Sequence, residues 1–468
     1  MKKIQNFYFI ALKTLSIRVI IIIDEQSLSK SYGGRRKNMK KFLSVFAALA
    51  MCVLGVTALT SCDSGKYDVY YLNFKPEADG QWQEVAKKYK EETGKILKVV
   101  TAANGKYEET LTAEMEKSKM PTLFQVNGSV GYEKWKNYCG DFTGSDFLKE
   151  LTSEDFAIKD GDKTVGVAYV YEGYGIVANK TLLSQAGVDV ATITSFETLK
   201  AACEKVTAAK KAGTVNFSAF TSNTLDGSSA WRFSGHLANV ALSYEFAEKN
   251  ITAQPATIEF KYAQNFRNIW NLYVNNSTVE PSTIATAKDA AAEFANAEAA
   301  FYQNGTWCYG DIVKANGKVK DADLAYLPIY LGVKDEKEGL ACGTENFWAF
   351  NKTASEQQQK DTLDFLYWMV TSETGTKALA DDMGFVSPFK KAKSVKNTLC
   401  NLMNEYTANG CYNVAWTAMN LTPNTDAWRA DVVDALTAYT IEQTDANYAK
   451  VKEAFVDGWA KQYTESHK

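Results

Sequence analysis

The sequence predicts an α/β protein whose first part builds a parallel sheet. Three observations predict it: β-rich and helical segments alternate from residue 68 to residue 126, capping and helix-ending residues sit between them, and 468 residues are enough to bury substantial cores.

The elements follow in order. Asp68–Phe74, "DVYYLNF", is a β-rich run. Asp79 caps a helix in which Trp82, Val85, Ala86 and Tyr89 fall at helical spacing, and Gly94 ends it. Lys95–Val100 is the second strand. A second helix puts Tyr107, Leu111 and Met115 on one face, and Thr122–Val126 forms a third strand after Pro121. Strands alternating with helices imply right-handed crossovers, and ligands of such sheets sit beyond the carboxyl ends of the strands. Here those ends are Lys75-Pro76-Glu77, Thr101-Ala102-Ala103 and Asn127-Gly128-Ser129.

Further on, Val165–Leu183 is β-rich and broken by "EGYG". A capping box from Thr194 to Glu197 opens a helix over Phe196–Val206 that gathers Phe196, Leu199, Ala202, Cys203 and Val206. From about Phe260 the pattern is largely helical, with Phe266, Ile269, Trp270 and Tyr273 as one stripe. Two strand candidates, "TWCYGDI" (Thr306–Ile312) and "LAYLPIY" (Leu324–Tyr330), close that segment. The chain has only 7 prolines and no Gly/Ser/Pro-rich linker, so any division into domains must be made by chain crossings.

The N-terminal part carries an address rather than a fold. Met39, Lys40 and Lys41 precede the apolar run Phe42–Leu59, the order of a secretory signal. Leu59-Thr60-Ser61-Cys62 then resembles a bacterial lipobox, in which the cysteine thiol takes a diacylglycerol and becomes the first residue. Residues 1–38 read as a mis-assigned start, residues 39–61 as a lipoprotein signal peptide. Several acyl chains on Cys62 exceed the two-signal threshold for stable anchoring, which places the protein on the outer side of the cell membrane, lipid-anchored and extracytoplasmic.

Of the 52 Lys and Arg, 10 lie in residues 1–61, with 2 of the 55 Asp and Glu, so the exported part carries 42 against 53 and a net charge of −11. Such a balance argues against nucleic acid as a partner. Six cysteines remain beyond Cys62: Cys139, Cys203, Cys308, Cys342, Cys400 and Cys411. None forms a CxxC pair, and with two histidines in the chain no zinc constellation arises.

Four stretches carry a family resemblance. "EGYGIVANKTLL", "AAFYQNGTWCYGDI", "GTENFWAFNK" and "MGFVSPFK" resemble, in this order, the signatures of family 1 extracellular solute-binding proteins, the maltose-binding-like carbohydrate receptors of ABC importers. The resemblance implies a two-lobe periplasmic-binding-protein-like (type II) α/β fold with crossing hinge segments. The lobes would take 67–171 plus 342–391 and 172–341 plus 392–468. It further implies a monomer that captures a carbohydrate, an oligosaccharide by expectation, and delivers it to the transmembrane subunits of an ABC permease, with no cofactor, no metal and no catalysis.

Each expected binding residue also has a plainer role. Trp307 resembles the family tryptophan that stacks on a sugar ring, where an indole offers a flat face to axial C–H groups; the plain role is core packing. Trp231 sits in the polar loop "DGSSAWRF" and Trp416 in "NVAWTAMN", a second platform or a core residue. Glu172 resembles the carboxylate that accepts from two adjacent hydroxyls, and could equally cap a turn. Glu77, Gln125 and Asn127 flank the first strand ends, where Glu77 could simply favour a helix N-terminus and Asn127-Gly128 is a good turn. Glu345 and Trp348 sit on the return crossing. Lys75-Pro76-Glu77 and Gln125-Val126-Asn127 depart from the maltodextrin-binding pattern, so maltose itself is not implied. Two other classes compete: a receptor for a non-sugar solute on the same fold, and an anchored glycoside hydrolase pairing Glu172 with Asp311 or Glu345.

Overall fold

The computed structural model describes residues 66–468, apart from residues 104, 315–316 and 335–336. The readings placed on 1–38, on the signal at 39–61 and on Cys62 lie outside the described residues. Twelve strands are described. They are β1 (Val69–Asn73), β2 (Leu97–Thr101), β3 (Leu123–Asn127), β4 (Ala157–Asp160), β5 (Lys163–Ala168), β6 (Glu172–Asn179), β7 (Ser218–Phe220), β8 (Ala299–Gly305), β9 (Leu324–Leu327), β10 (Glu338–Gly343), β11 (Asn346–Phe350) and β12 (Tyr412–Ala415).

They form two sheets, ordered β2-β1-β3-β11-β5-β4 and β12-β10-β6-β8-β7, with β9 also paired to β6. In the first, β1 runs parallel to both β2 and β3. The expected alternation therefore holds: the helix Asp79–Thr93 buries Trp82, Val85 and Tyr89 and ends at Gly94 in the left-handed region, φ 74°. The helix Tyr107–Met115 buries Tyr107, Leu111 and Met115. Parallel pairing puts the carboxyl ends of β1, β2 and β3 at one edge. The antiparallel β11 brings its first residue to the same edge, Asn346 opposite Asn127.

In the second sheet β6 is central and antiparallel to β8 and β10, with Tyr174 opposite Gly305 and Glu172 opposite Gly343. The start of β6 thus shares an edge with the ends of β8 and β10. The chain crosses between the sheets after β5 through residues 169–171 and after β10 through residues 344–345. Both crossings join the same two edges, so those edges face each other. A further link brings Tyr171 against Val386 through the Tyr171 N–H to the Val386 carbonyl, 2.7 Å.

Two local expectations shift. Thr306–Ile312 is helical, a short 3-10 turn followed by an α-turn, and the strand lies just before it in Ala299–Gly305. β8 stops at Gly305, opposite Tyr174, while β6 runs on for two residues that pair with β10 alone. The capping box forms one residue on from its expected place: the Ser195 hydroxyl accepts from the Thr198 N–H and the Thr198 hydroxyl from the Ser195 N–H. The helix covers Phe196–Lys211.

Candidate functional site

The facing edges make a cleft, and its centre is an ion pair contributed by both. Lys75, just after β1, donates from Nζ to both carboxylate oxygens of Glu172, the first residue of β6, at 2.9 and 2.9 Å. Glu77 stands 3.5 Å from the same nitrogen. The lysine is held from behind by Asn73, whose amide donates to the Lys75 carbonyl at 2.7 Å and whose side-chain oxygen accepts the Lys75 N–H at 3.1 Å. Both partners are 5 % exposed. Burial alone would lower the lysine's pKa, but Glu172 and Glu77 reverse this and hold it above its ordinary value. Burial pushes the Glu172 carboxyl up, against the pull of Lys75. Two oxygens on one ammonium at this distance is the geometry of an ionised, charge-assisted pair.

Beside the pair opens a cavity of about 380 Å³, within the range of roughly 300–1,000 Å³ usual for small-molecule sites. Glu77, Asp381 and Asp382 border it from the side of the first sheet, and Glu172, Trp307 and Asp311 from the second.

The second side is aromatic. Trp307 lies in the turn Thr306–Cys308 that follows β8, and a Cβ at Gly305 would sit 2.1 Å from its ring, so the indole folds back over the strand end only because residue 305 is glycine. His236 lies at the middle of the cluster, stacked on Tyr174 at 4.1 Å and near Trp231 (5.1 Å), Trp307 (5.2 Å) and Trp416 (6.3 Å). Burial, with the charges of Arg429, Arg232 and Lys75, drives the His236 imidazole well below its ordinary range, so the ring is neutral and packs as an aromatic. Trp231 is fixed by its own loop: its Nε1 donates to the Ser228 carbonyl at 2.8 Å, and Asp226 accepts from the Ser228 N–H and the Thr224 hydroxyl at 2.9 and 2.8 Å.

The structure sorts the expected residues. Trp307 and Trp231 are partly exposed, 6.1 Å apart, on the aromatic side. Glu77 and Glu172 border the cavity, although Glu172 already has both oxygens on Lys75. Asn127 ends β3 with its side-chain oxygen buried and without a partner among the described residues. Glu345 lies on the second crossing, 3.7 Å from Arg429, and its carbonyl accepts the Gly128 N–H. Trp416 is 4 % exposed and packs behind the cluster, where a Cβ on Gly343 would touch it.

Gln125 and Trp348 belong to the core and not to the cleft. The Gln125 oxygen accepts from the Phe74 N–H (2.6 Å) and the Tyr71 hydroxyl (3.1 Å), and its amide donates to the Tyr169 hydroxyl (2.6 Å). Trp348 stacks on Tyr169 at 4.4 Å and donates to the Tyr71 hydroxyl. The reason is that β3 and β11 are interior strands covered on both faces, so side chains short of their ends point into packed layers. Asp381, Asp382, Phe385, which lines the same cavity, and His236 were not expected as binding residues, and Lys75 was named only as part of a strand end. Lys75 had a usable signal, its place at the carboxyl end of β1.

Among the described residues no helix is long and apolar enough to cross a membrane, and no three His, Cys, Asp or Glu side chains converge as metal ligands would. A sequence profile described as "Bacterial extracellular solute-binding protein" matches residues 84–410. No curated protein matches the sequence. Solved structures align over most of the fold. The protein RafE in complex with raffinose has a TM-score of 0.64 at 17% identity, covering 83% of this chain and 98% of that one. A chitin oligosaccharide binding protein gives 0.64 at 16% identity, with 85% and 98% covered. A sugar transporter protein from Bacillus licheniformis in complex with stachyose gives 0.62 at 16%, with 84% and 100% covered. At these identities the likeness carries the fold.

Proposed function

The chain belongs to the bacterial extracellular solute-binding protein family, and from that premise we propose that it captures a carbohydrate in the cleft and delivers it to the transmembrane subunits of an ABC permease. Membership makes it an extracytoplasmic binding protein and not an enzyme. The observation that carries the carbohydrate reading is Trp307: a partly exposed indole bordering a cavity that also presents carboxylates. A flat apolar face beside hydrogen-bond acceptors is what a sugar ring, apolar on its axial C–H side and polar at its rim, requires. The sugars named for the structural relatives support the same choice.

In this reading the lobes are 67–171 plus 342–391 and 172–341 plus 392–468, Trp231 extends the platform set by Trp307, Asn127 and Glu345 add polar groups to the binding set, and lobe closure presents the loaded monomer to the permease. A lipid on Cys62 keeps it at the outer face of the membrane. A thermal-shift screen of mono- and oligosaccharides tests the ligand class, because a solute that binds only the native state raises its melting temperature; no shift with any sugar, beside a clear shift with a non-sugar solute, would overturn it. Cys62→Ser should move the protein from the membrane to the soluble fraction.

A further inference from the structure

We infer that the crossing after β10 carries a subsite that reads the hydroxyl groups of an uncharged sugar ring, which deepens the carbohydrate reading above and rests on it. Six buried side-chain atoms with no hydrogen-bond partner among the described residues gather there: the side-chain oxygens of Asn127, Asn346 and Asn420, Nδ1 of His236, Nε1 of Trp416 and Nε of Arg429. Asn346 opens β11 opposite Asn127 at the end of β3. The Asn420 amide donates to the Thr344 carbonyl at 3.1 Å, which fixes its oxygen as the end left over, and a Cβ on Gly128 would stand 3.1 Å from its side chain. The Trp416 ring would meet a Cβ on Gly343 at 2.8 Å. Arg429 lies 3.7 Å from Glu345 and against Gly235, next to His236. His236 is 6.3 Å from Trp416 and 5.2 Å from Trp307, which ties the group to the indole that carries the sugar reading. Asn346, Trp416 and His236 are 2, 4 and 5 % exposed, so bulk water does not serve their atoms.

Donors and acceptors, not net charge, decide what pairs with this set. The three amide oxygens only accept, the indole and guanidinium N–H groups only donate, and Nδ1 of the neutral His236 ring does one or the other. A hydroxyl does both. An ammonium would leave the two N–H groups without an acceptor, and a carboxylate or phosphate would leave the three oxygens without a donor; a buried polar group so stranded is costly. The charges around the set have both signs: Arg429 stands by Glu345 and acts on Asp426, and the Glu345 charge reaches the paired Lys75 and Glu172. Asn127 and Asn346 come from strands of the first sheet, whereas Trp416 and Asn420 follow β12 of the second, so a solute here pairs with both sides at once. Leucine at 346 or 420 would fill a similar volume with no stranded oxygen, so the amides serve a solute better than they serve the fold.

Calorimetric titration of the purified protein with five sugars tests the inference: raffinose, cellobiose and maltose, which are uncharged, the free-amine glucosamine dimer, and the galacturonic acid dimer. The tightest binder is expected among the uncharged three, with an affinity that salt leaves nearly unchanged. Asn346→Leu should weaken that sugar about tenfold while the melting temperature of the empty protein holds or rises, because a stranded buried amide is removed; Asn420→Leu replaces it if that variant fails to fold. Trp416→Phe, which keeps a ring and loses the N–H, should weaken the same sugar about threefold. A charged dimer that binds more tightly than all three uncharged sugars would overturn the inference and leave the carbohydrate reading standing. So would unchanged affinity in the leucine variant, which would mean that water alone meets the amide, or affinity lost only together with a lowered melting temperature, the mark of a structural residue. Binding of none of the five sugars would overturn the carbohydrate reading itself, and the subsite with it.

Discussion

The two sides of the cleft are built from different chemistry. The first sheet gathers short polar and charged groups at its strand ends: Lys75, buried, and Glu77 after β1, Asn127 at the end of β3, and Asn346, also buried, at the start of β11. The second adds rings to its carboxylates Glu172 and Asp311, with Trp307 and Trp231 partly exposed and His236, Tyr174 and Trp416 packed beneath them. Hydrogen-bonding groups are directional and discriminate between solutes, whereas a ring face holds any flat apolar surface of the right size. If the cleft holds the proposed sugar, its ring faces would meet indoles from the second side, while carboxylates would reach it from both, Glu77 from the first and Glu172 and Asp311 from the second.

The largest test uses two tryptophans that were expected to serve the same purpose. Trp348→Ala should cost about 3–5 kcal/mol of stability, as fully buried aromatics do, and should be read as a lowered denaturation midpoint. Trp307→Ala should leave that midpoint nearly unchanged and weaken sugar binding by about 2 kcal/mol, a typical loss for an aromatic anchor. Equal losses of stability in the two variants would erase the distinction between core and platform. Lys75→Met sharpens the comparison at the point where the sides touch, because it leaves Glu172 buried and alone. We expect a loss of about 3 kcal/mol, with much of it restored by adding Glu172→Leu, since a buried pair replaced whole by apolar groups is often nearly neutral.

The smallest effect lies within the aromatic side. Burial raises the Asp226 carboxyl, but hydrogen bonds from Ser228, Ser229 and Thr224 bring it down to about 2. A depressed carboxylate stabilises fully above its unfolded value of about 3.9 and loses that contribution as pH falls toward 2. The loop holding Trp231 should therefore loosen in that window, seen as a shift in tryptophan fluorescence that a Trp231→Phe control lacks. Asp226→Asn should give a loosened loop already at neutral pH and cost about 1 kcal/mol.

Much of the fold was legible because its signals are local. The helix ending at Gly94 and the stripe Tyr107, Leu111, Met115 are read from spacing alone. β8 was missed because its residues Ala299, Ala300, Gln303 and Asn304 are weak strand formers, in a strand held by pairing with β6 over 301–305 and with β7 at Ala299 and Phe301, whereas the aromatic Trp307 and Tyr309 just beyond it favour a strand yet form turns. The site was less legible. Trp307 and Trp231 stand out by residue type. The Lys75–Glu172 pair spans 97 positions, and no periodicity reports on such a contact. Gln125 and Trp348 were read as cleft residues because strand membership gives an address along the strand but not the number of layers packed above it.

Gly305 extends the reach of these observations to relatives of the chain. The indole of Trp307 occupies the volume in which any side chain at that position would begin. A homologue with a tryptophan aligned to Trp307 but with alanine or serine two residues before it must hold its indole elsewhere, so the tryptophan alone would misassign its ligand preference. The diagnostic signature is the pair, and its silent member is the one a catalogue of ligand contacts would leave out.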